Sequence, residues 1–295
     1  MGRYVLENDA IAIAVDSNGA ELKSLVCKAT GVEYIWKGDS QFWGRSAPVL
    51  FPFVGAVNHQ EFRTKGRTFP MGQHGFARDM EFDLENRTVE EIWFVLHSDE
   101  NTFAKYPYVF TLKIGYRISG SSVEVLWQVD NPGKEDLPFS IGGHPAFNCP
   151  IEEGKSQTDY KIKFDVQGPI VSTRLTEGLA SMETDCYELQ GGYLPVTEHL
   201  FDKDALIIEG QGVKKVSLCD ESGEAYLTVS MDAPLFGIWS PAGKKAPFIC
   251  IEPWYGRCDA VGFTGELCER KWGNLLAPGQ VWKAGFTVSV GKESE

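Results

Sequence analysis

Residues 110–129, FTLKIGYRISGSSVEVLWQV, determine the fold class of this chain. The two halves, 110–118 and 122–129, are each rich in β-branched and aromatic side chains, which favour extended backbone. A turn signal that includes Gly120 separates them. The stretch therefore predicts two neighbouring β-strands.

Similar strand signals recur along the rest of the sequence. Residues 10–26 predict a hairpin, and further strand-like runs lie at 91–97, 160–164, 205–208, 215–219, 225–229, 236–239 and 286–290. Only the acidic segment 98–105 predicts a short helical turn. Many short strands, together with 31 Gly and 15 Pro, are typical of a sandwich or barrel. Neither a linker nor an internal repeat interrupts the pattern, so we predict an all-β fold, a large β-sandwich that forms one domain over residues 1–295.

Composition excludes several classes of partner. A net charge of −13 disfavours binding to nucleic acid and to anionic membranes. No stretch reaches the roughly 20 apolar residues that span a bilayer. The early acidic residues Glu7 and Asp9 argue against a signal peptide. We therefore expect a cytoplasmic protein that is a monomer or a homodimer.

The sequence also argues against metals and nucleotide cofactors. The seven cysteines are odd in number and scattered, and their spacing is poor for zinc, so we expect reduced thiols. The chain contains neither the GxGxxG nor the GxxxxGK[ST] pattern of nucleotide sites. We predict no cofactor and no metal.

The segment IGGHPAFN, residues 141–148, places His144 between two glycines and a proline. Gly142 and Gly143 lack Cβ atoms, which predicts a freely bending backbone that a ligand can approach closely. Pro145 biases His144 towards an extended conformation. An imidazole that titrates near neutral pH suits proton transfer at such a strand end. The alternative is an inert histidine at a corner between a strand and a turn.

A second polar group follows a buried strand in FICIEPWYGRCDA, residues 248–260. The apolar run 248–251 predicts the strand, and we expect Pro253 to end it directly after Glu252. A carboxylate at this position is costly unless it is hydrogen-bonded or used in chemistry. Glu252 and His144 thus share a strand-end setting that predicts an acid and a base facing one cleft. A Glu252 paired with an arginine, or capping a turn, is the alternative.

Other candidate residues have side chains that suit an oxygen-rich ligand. In MGQHGFARD, residues 71–79, period-two alternation would place His74 and Arg78 on one face. A salt bridge from Arg78 to Glu81 or Asp83 is the alternative interpretation. The remaining candidates are Asp204 before an apolar strand, Trp254 as an apolar platform for a pyranose, and Arg45 near a proline-punctuated strand.

These motifs together resemble the aldose 1-epimerases, or mutarotases. IGGHPAFN, QHGFAR, FDKDALI, ICIEPW and LLAPGQVWKAGFTV occur in the family's order across almost the whole chain. The resemblance is closest to the divergent branch similar to the LacX protein. It implies a galactose-mutarotase-like supersandwich with a sugar cleft on one sheet.

The resemblance also implies roles for individual residues. Glu252 resembles the general base and His144 the general acid, while His74 and Asp204 resemble residues that bind the sugar. The chain departs from the family at Ala56, near the position of an arginine that follows a Pro-rich strand. Arg45 or Arg78 would then replace that arginine, which leaves the identity of the sugar open.

These residue types suit interconversion of the anomers of a hexose or a hexose phosphate. We expect Glu252, ionised at pH 7, to take the proton of the anomeric hydroxyl. A protonated His144 would donate to the ring oxygen, and rotation about C1–C2 followed by closure would give the other anomer. A carbohydrate-binding or sugar-sensing protein without catalysis is one alternative. Glycoside hydrolysis by Glu252 and Asp204 is another.

Overall fold

The computed structural model describes residues 2–291, which contain 24 strands, one α-helix and four short 3-10 turns. The strands are β1 (Arg3–Glu7), β2 (Ile11–Asp16), β3 (Glu21–Cys27), β4 (Val49–Leu50), β5 (Glu61–Thr64), β6 (Arg67–Pro70), β7 (Asp83–Arg87), β8 (Glu91–His97), β9 (Thr111–Ser119), β10 (Ser122–Asp130), β11 (Leu137–Phe139), β12 (Ile141–Gly143), β13 (Ala146–Asn148), β14 (Lys161–Phe164), β15 (Ile170–Thr176), β16 (Leu179–Tyr187), β17 (Tyr193–Pro195), β18 (Leu206–Glu209), β19 (Lys215–Cys219), β20 (Ala225–Met231), β21 (Leu235–Trp239), β22 (Phe248–Tyr255), β23 (Asn274–Leu276) and β24 (Val281–Val290). The helix α1 is Glu100–Lys105, and the 3-10 turns are Asn58–Gln60, Ala77–Asp79, Gln157–Asp159 and Leu267–Glu269.

Two large antiparallel sheets form the body of the protein. The nine-stranded sheet has the order β17-β14-β19-β20-β24-β10-β9-β8-β7. The eight-stranded sheet has the order β16-β15-β18-β21-β22-β12-β4, with β13 also paired to β22. Aromatic rings of the two sheets pack against each other in the core. The ring centroids of Trp127 and Tyr255 are 6.3 Å apart, and those of Phe164 and Phe236 are 6.5 Å apart. The predicted large β-sandwich is therefore confirmed.

The hairpin at 110–129 lies within the nine-stranded sheet, as β9 and β10. Every second side chain of β10 is buried, namely Val123, Val125, Trp127 and Val129, whereas the residues between them are half-buried. This alternation reflects the two-residue period of a strand, which directs one set of side chains into the core.

Local sequence signals agree well with the observed elements. The strands predicted at 91–97 and 215–219 have those bounds, and the hairpin at 10–26 forms β2 and β3. The predicted helical turn is α1, where the Asp99 side chain accepts a hydrogen bond from the backbone N–H of Thr102. No helix within residues 2–291 is long and apolar enough to cross a membrane. One domain over 1–295 stays a prediction, because residues 1 and 292–295 lie outside the described part.

The expectation that Pro253 ends its strand is wrong. The strand β22 continues to Tyr255, and Pro253 pairs in register with Phe236 of β21. On its other edge β22 pairs with β13 and then with β12, with a break between them. The Ile251 N–H points to that edge, where it donates to the Pro145 carbonyl. The period of two directs position 253 to the same edge, where the break makes its missing N–H tolerable.

Candidate active site

Side chains of β22 alternate between the sandwich core and the opposite face of the sheet. Ile249 and Ile251 belong to the main core between the two sheets. Cys250, Glu252 and Trp254 point to the other face, as the two-residue period requires. Glu252 and Trp254 line a cavity on this outer face.

Strand register brings His144 and Glu252 together. Gly142 pairs with Trp254, and Ala146 pairs with Cys250. The same register places His144, in the break between β12 and β13, directly across from Glu252. Nε2 of His144 lies 3.3 Å from Oε2 of Glu252, and the two side chains are 9% and 2% exposed. Two segments that are about a hundred residues apart in the sequence thus form one buried acid–base pair.

Both glycines of the IGGHP motif make room for aromatic side chains, which corrects the expectation of a bending backbone that a ligand approaches. A Cβ at Gly142 would lie 2.6 Å from Cδ1 of Trp254, and one at Gly143 would lie 3.0 Å from the Phe286 ring. On the neighbouring strand, a Cβ at Gly237 would lie 2.5 Å from the same indole ring of Trp254. Glycines on both flanking strands therefore let the Trp254 ring lie across the sheet.

His74 is held by reciprocal hydrogen bonds with Gly55. The His74 N–H donates to the Gly55 carbonyl at 3.0 Å, and the Gly55 N–H donates to Nδ1 of His74 at 3.1 Å. Burial, with the charges of His144 and the nearby arginines, holds the pKa of His74 well below its usual range. The ring is therefore neutral and carries its proton on Nε2, where it serves as a hydrogen-bond donor.

The expected extended conformation of residues 71–79 is wrong. His74 and Gly75 have φ values of +68° and +70°, and Arg78 lies in the 3-10 turn Ala77–Asp79. Gly75 is required there, because a Cβ would lie 2.3 Å from the carbonyl oxygen of Phe51. The turn nevertheless places both His74 and Arg78 on the cavity wall.

Two guanidinium groups lie beside each other on the wall. Arg45 contacts Asp79 at 2.8 Å, and Nη2 of Arg78 donates to the Gln73 carbonyl at 2.8 Å. Nε of Arg78 is buried and has no hydrogen-bond partner. Burial and the charge of Arg45 lower the pKa of Arg78 to about 10, so it stays charged at neutral pH. Glu21 fixes the segment after Arg45 by accepting two backbone N–H groups at 2.7 and 2.9 Å.

All seven residues singled out from the sequence line one cavity of about 440 Å³. They are Arg45, His74, Arg78, His144, Asp204, Glu252 and Trp254. Asp204 lies on the exposed side with a φ of +76°, and Trp254 forms part of the wall with its buried Nε1 unpartnered. Ala56 does not contribute to the lining, so Arg45 and Arg78 are the arginines of the cavity.

Sequence reasoning missed two aromatic residues of the cavity. Trp43 stacks on the His144 ring at 4.7 Å with an interplanar angle of 26°. Trp239 contacts the same imidazole edge-on at 5.6 Å. Trp239 ends the strand predicted at 236–239, but its place on the face of Glu252 follows from its pairing with Cys250, which the sequence does not show. Trp43 lies in a loop, and no local pattern indicated its contact with His144.

The electrostatics of the pair differ from the expectation of an ionised Glu252 and a protonated His144. Burial, reinforced by the charge of Asp204, raises the pKa of Glu252 well above its usual value. Burial, together with the charge of Arg78, lowers the pKa of His144 to about 3. Both shifts favour neutral groups, because a low-dielectric environment penalises the charged forms.

A buried ion pair supports the loop that carries Gly55. Nε of Arg270 lies 2.6 Å from Oδ1 of Asp259, and both side chains are almost fully buried. The other carboxylate oxygen of Asp259 accepts the backbone N–H of Asn58 at 2.9 Å. The Asp259 N–H donates to the Ala56 carbonyl at 3.0 Å. Contacts from residues 257–270 thus hold the loop 54–58 in place, and with it Gly55, the hydrogen-bond partner of His74.

Comparison with known proteins identifies the fold and the family of this chain. The sequence model of the aldose 1-epimerase family matches residues 2–289. Protein LacX of Lactococcus lactis subsp. lactis is 32% identical over 277 residues, which cover 90% of this chain and 91% of LacX. A galactose mutarotase related enzyme from Lactobacillus acidophilus has a TM-score of 0.93 at 33% identity, covering 100% of this chain and 99% of its own. A galactose mutarotase-like protein from Lactobacillus casei ATCC 334 has a TM-score of 0.90 at 32% identity, and the match covers 98% of this chain and 100% of that protein.

The sandwich with its outer cavity is therefore a galactose-mutarotase-like fold. The chain belongs to the aldose 1-epimerase family.

Proposed function

We propose that the protein is an isomerase of the aldose 1-epimerase type, which interconverts the α and β anomers of a hexose or hexose phosphate. The observation that carries this proposal is the 3.3 Å contact between His144 and Glu252 at a cavity of about 440 Å³. Membership of the family supports the same class of reaction. A cytoplasmic location and the monomeric or dimeric state stay predictions.

The reaction needs one proton that the pair can deliver and one position that can accept a proton. Transfer within the pair, from the neutral Glu252 carboxyl to His144, converts it to carboxylate and imidazolium without any change in proton count. Glu252 then takes the proton of the anomeric hydroxyl while His144 donates to the ring oxygen, and the C1–O5 bond breaks. Rotation about C1–C2 and closure with reversed roles give the other anomer. Each positioned group contributes roughly 10²–10⁴ in rate.

The remaining lining residues orient the sugar in this proposal. The indole rings of Trp43, Trp239 and Trp254 offer apolar surface for a pyranose face. His74 directs its Nε2–H donor at a sugar oxygen, because its Nδ1 is occupied by the Gly55 N–H. Asp204, on the exposed side, accepts from a hydroxyl.

An anionic group on the substrate would suit the two arginines. Arg45 and Arg78 share the single carboxylate of Asp79, at 2.8 Å and 4.0 Å. Nε of Arg78, the atom of that 4.0 Å contact, makes no hydrogen bond. A phosphate accepts such guanidinium groups in bidentate geometry. We therefore include hexose phosphates among the proposed substrates.

Arg78→Lys should weaken kcat/KM for glucose 6-phosphate at least about tenfold more than for glucose, because lysine lacks the planar fork. The matched control is Arg117→Lys at an exposed position of β9, where Arg117 pairs with Glu91 and Glu124. Equal losses on both sugars would show that Arg78 does not read a phosphate, and a neutral aldose would become the expected substrate.

The function itself is tested by NMR exchange between anomers for a panel of free aldoses and their 6-phosphates. Enzymatic acceleration of exchange for at least one sugar is expected. Saturable sugar binding without acceleration would favour a carbohydrate-binding or sugar-sensing protein. Release of sugar from a glycoside would favour hydrolysis by Glu252 and Asp204.

A further inference from the structure

Cys250 adds a third potential metal ligand to the acid–base pair. It precedes Glu252 by two positions on β22, so the two side chains share one face of the sheet. One ligand atom from each of His144, Cys250 and Glu252 lies within 4.8 Å of one from each of the others, and all three residues are buried. The proposed isomerase chemistry has no use for this thiol.

The spacing of the pair matches the edge of a tetrahedral metal site. Nitrogen and oxygen ligands about 2.0–2.2 Å from a tetrahedral Zn²⁺ lie about 3.3–3.6 Å from each other. Nε2 of His144 and Oε2 of Glu252 are 3.3 Å apart. Oε2 of Glu252 is buried, and apart from this contact with His144 it has no hydrogen-bond partner.

We propose that His144, Cys250 and Glu252 form a three-ligand site for a soft divalent cation such as Zn²⁺. Imidazole, thiolate and carboxylate are the three ligand types that zinc takes. A thiolate and a carboxylate balance the charge of the cation, which suits the apolar surroundings of Cys250.

The cavity supplies the path of entry and the fourth coordination position. His144 and Glu252 line the cavity wall, whereas Cys250 lies behind them with no exposed surface. A cation held by the three therefore faces the cavity, where water or a sugar hydroxyl completes its coordination. Because it occupies both members of the acid–base pair, the bound cation blocks proton transfer. This inference stands independently of the proposed isomerase activity.

Binding is tested with Co²⁺, because a cobalt–thiolate bond gives a near-ultraviolet charge-transfer band that no other ligand here produces. The partly exposed thiol Cys27 and the exposed thiols Cys186 and Cys268 are first replaced by serine, which removes the accessible background. On this protein we expect a band that saturates at one Co²⁺ per chain and is displaced by Zn²⁺.

Two further serine variants decide the assignment. Cys250→Ser should abolish the band and weaken Zn²⁺ binding, measured by calorimetry, at least about tenfold, which is the usual minimum for disturbing a metal site. Cys219→Ser is the matched control, because Cys219 is equally buried but lies in β19 of the other sheet. A band that persists in Cys250→Ser, or disappears equally in Cys219→Ser, overturns the proposal.

Glu252→Gln provides a second test that leaves the thiol in place. It should retain the Co²⁺–thiolate band but require at least about tenfold more Co²⁺ for half-saturation, since an amide oxygen is a poorer ligand than a carboxylate. An unchanged titration in Glu252→Gln excludes Glu252 as a ligand and overturns the three-ligand site.

Discussion

Glu252→Gln should slow anomer exchange on the best sugar by about 10² or more while leaving sugar affinity within a few-fold of the original. The amide keeps the shape of the side chain but cannot carry the proton that the pair with His144 shares. Exchange is measured by NMR magnetisation transfer, and affinity by fluorescence of the cavity tryptophans. Trp43 and Trp239, which both contact the imidazole of His144, are expected to supply the change in fluorescence when a sugar binds.

The double variant His144→Asn/Glu252→Gln tests whether His144 and Glu252 act as one catalytic unit. His144→Asn alone should cost a similar factor, and the double variant should be little slower than either single one, since residues of one catalytic unit are strongly non-additive. Glu124→Gln, at a half-buried glutamate of β10 in the nine-stranded sheet, is the control. Wild-type exchange in Glu252→Gln would remove Glu252 from the mechanism, even if sugar binding persisted.

Asp259→Ala should lower the free energy of unfolding by about 3–5 kcal/mol, because it leaves the guanidinium of Arg270 buried without its carboxylate. The loss includes the hydrogen bond that Asp259 accepts from the Asn58 N–H. The loss is measured from the shift of the urea unfolding midpoint, provided that the dependence of the unfolding free energy on urea concentration is unchanged.

The double variant Asp259→Ala/Arg270→Met should be more stable than Asp259→Ala, since it removes the uncompensated charge. Asp232→Ala is the matched surface control: Asp232 pairs with Lys214 at 3.1 Å, but its side chain is 90% exposed. It should change stability by no more than about 1 kcal/mol. A comparably small loss for Asp259→Ala would show that the buried pair does not stabilise the fold.

The strands were predictable because their signal is local. In β10 the buried apolar residues Val123, Val125, Trp127 and Val129 occupy alternate positions of one short segment. Burial of alternate side chains follows from the two-residue period of any strand. The Asp99 cap of α1 is equally local. Pro253 shows the limit of such signals, because its tolerance inside β22 depends on a break between two other strands.

Candidate site residues were recognisable one motif at a time, since glycine, proline and a polar side chain at a strand end form short patterns. Their resemblance to one family joined the motifs before any contact was known. The conformation around His74 was not predictable, because its positive φ is imposed by the close approach of Gly75 to Phe51.

By itself the sequence determined an all-β fold and nominated His144 and Glu252, because strand periodicity and strand-end polar groups are properties of neighbouring residues. Only the tertiary structure decided that β-sheet register sets these two side chains 3.3 Å apart. It also stacked Trp43 on His144 and brought Arg45 to the Asp79 carboxylate that Arg78 approaches, although these segments are far apart in the chain. The shift of both groups towards their neutral forms is likewise tertiary, because the pKa of Glu252 is raised and that of His144 lowered chiefly by burial, which no single segment creates.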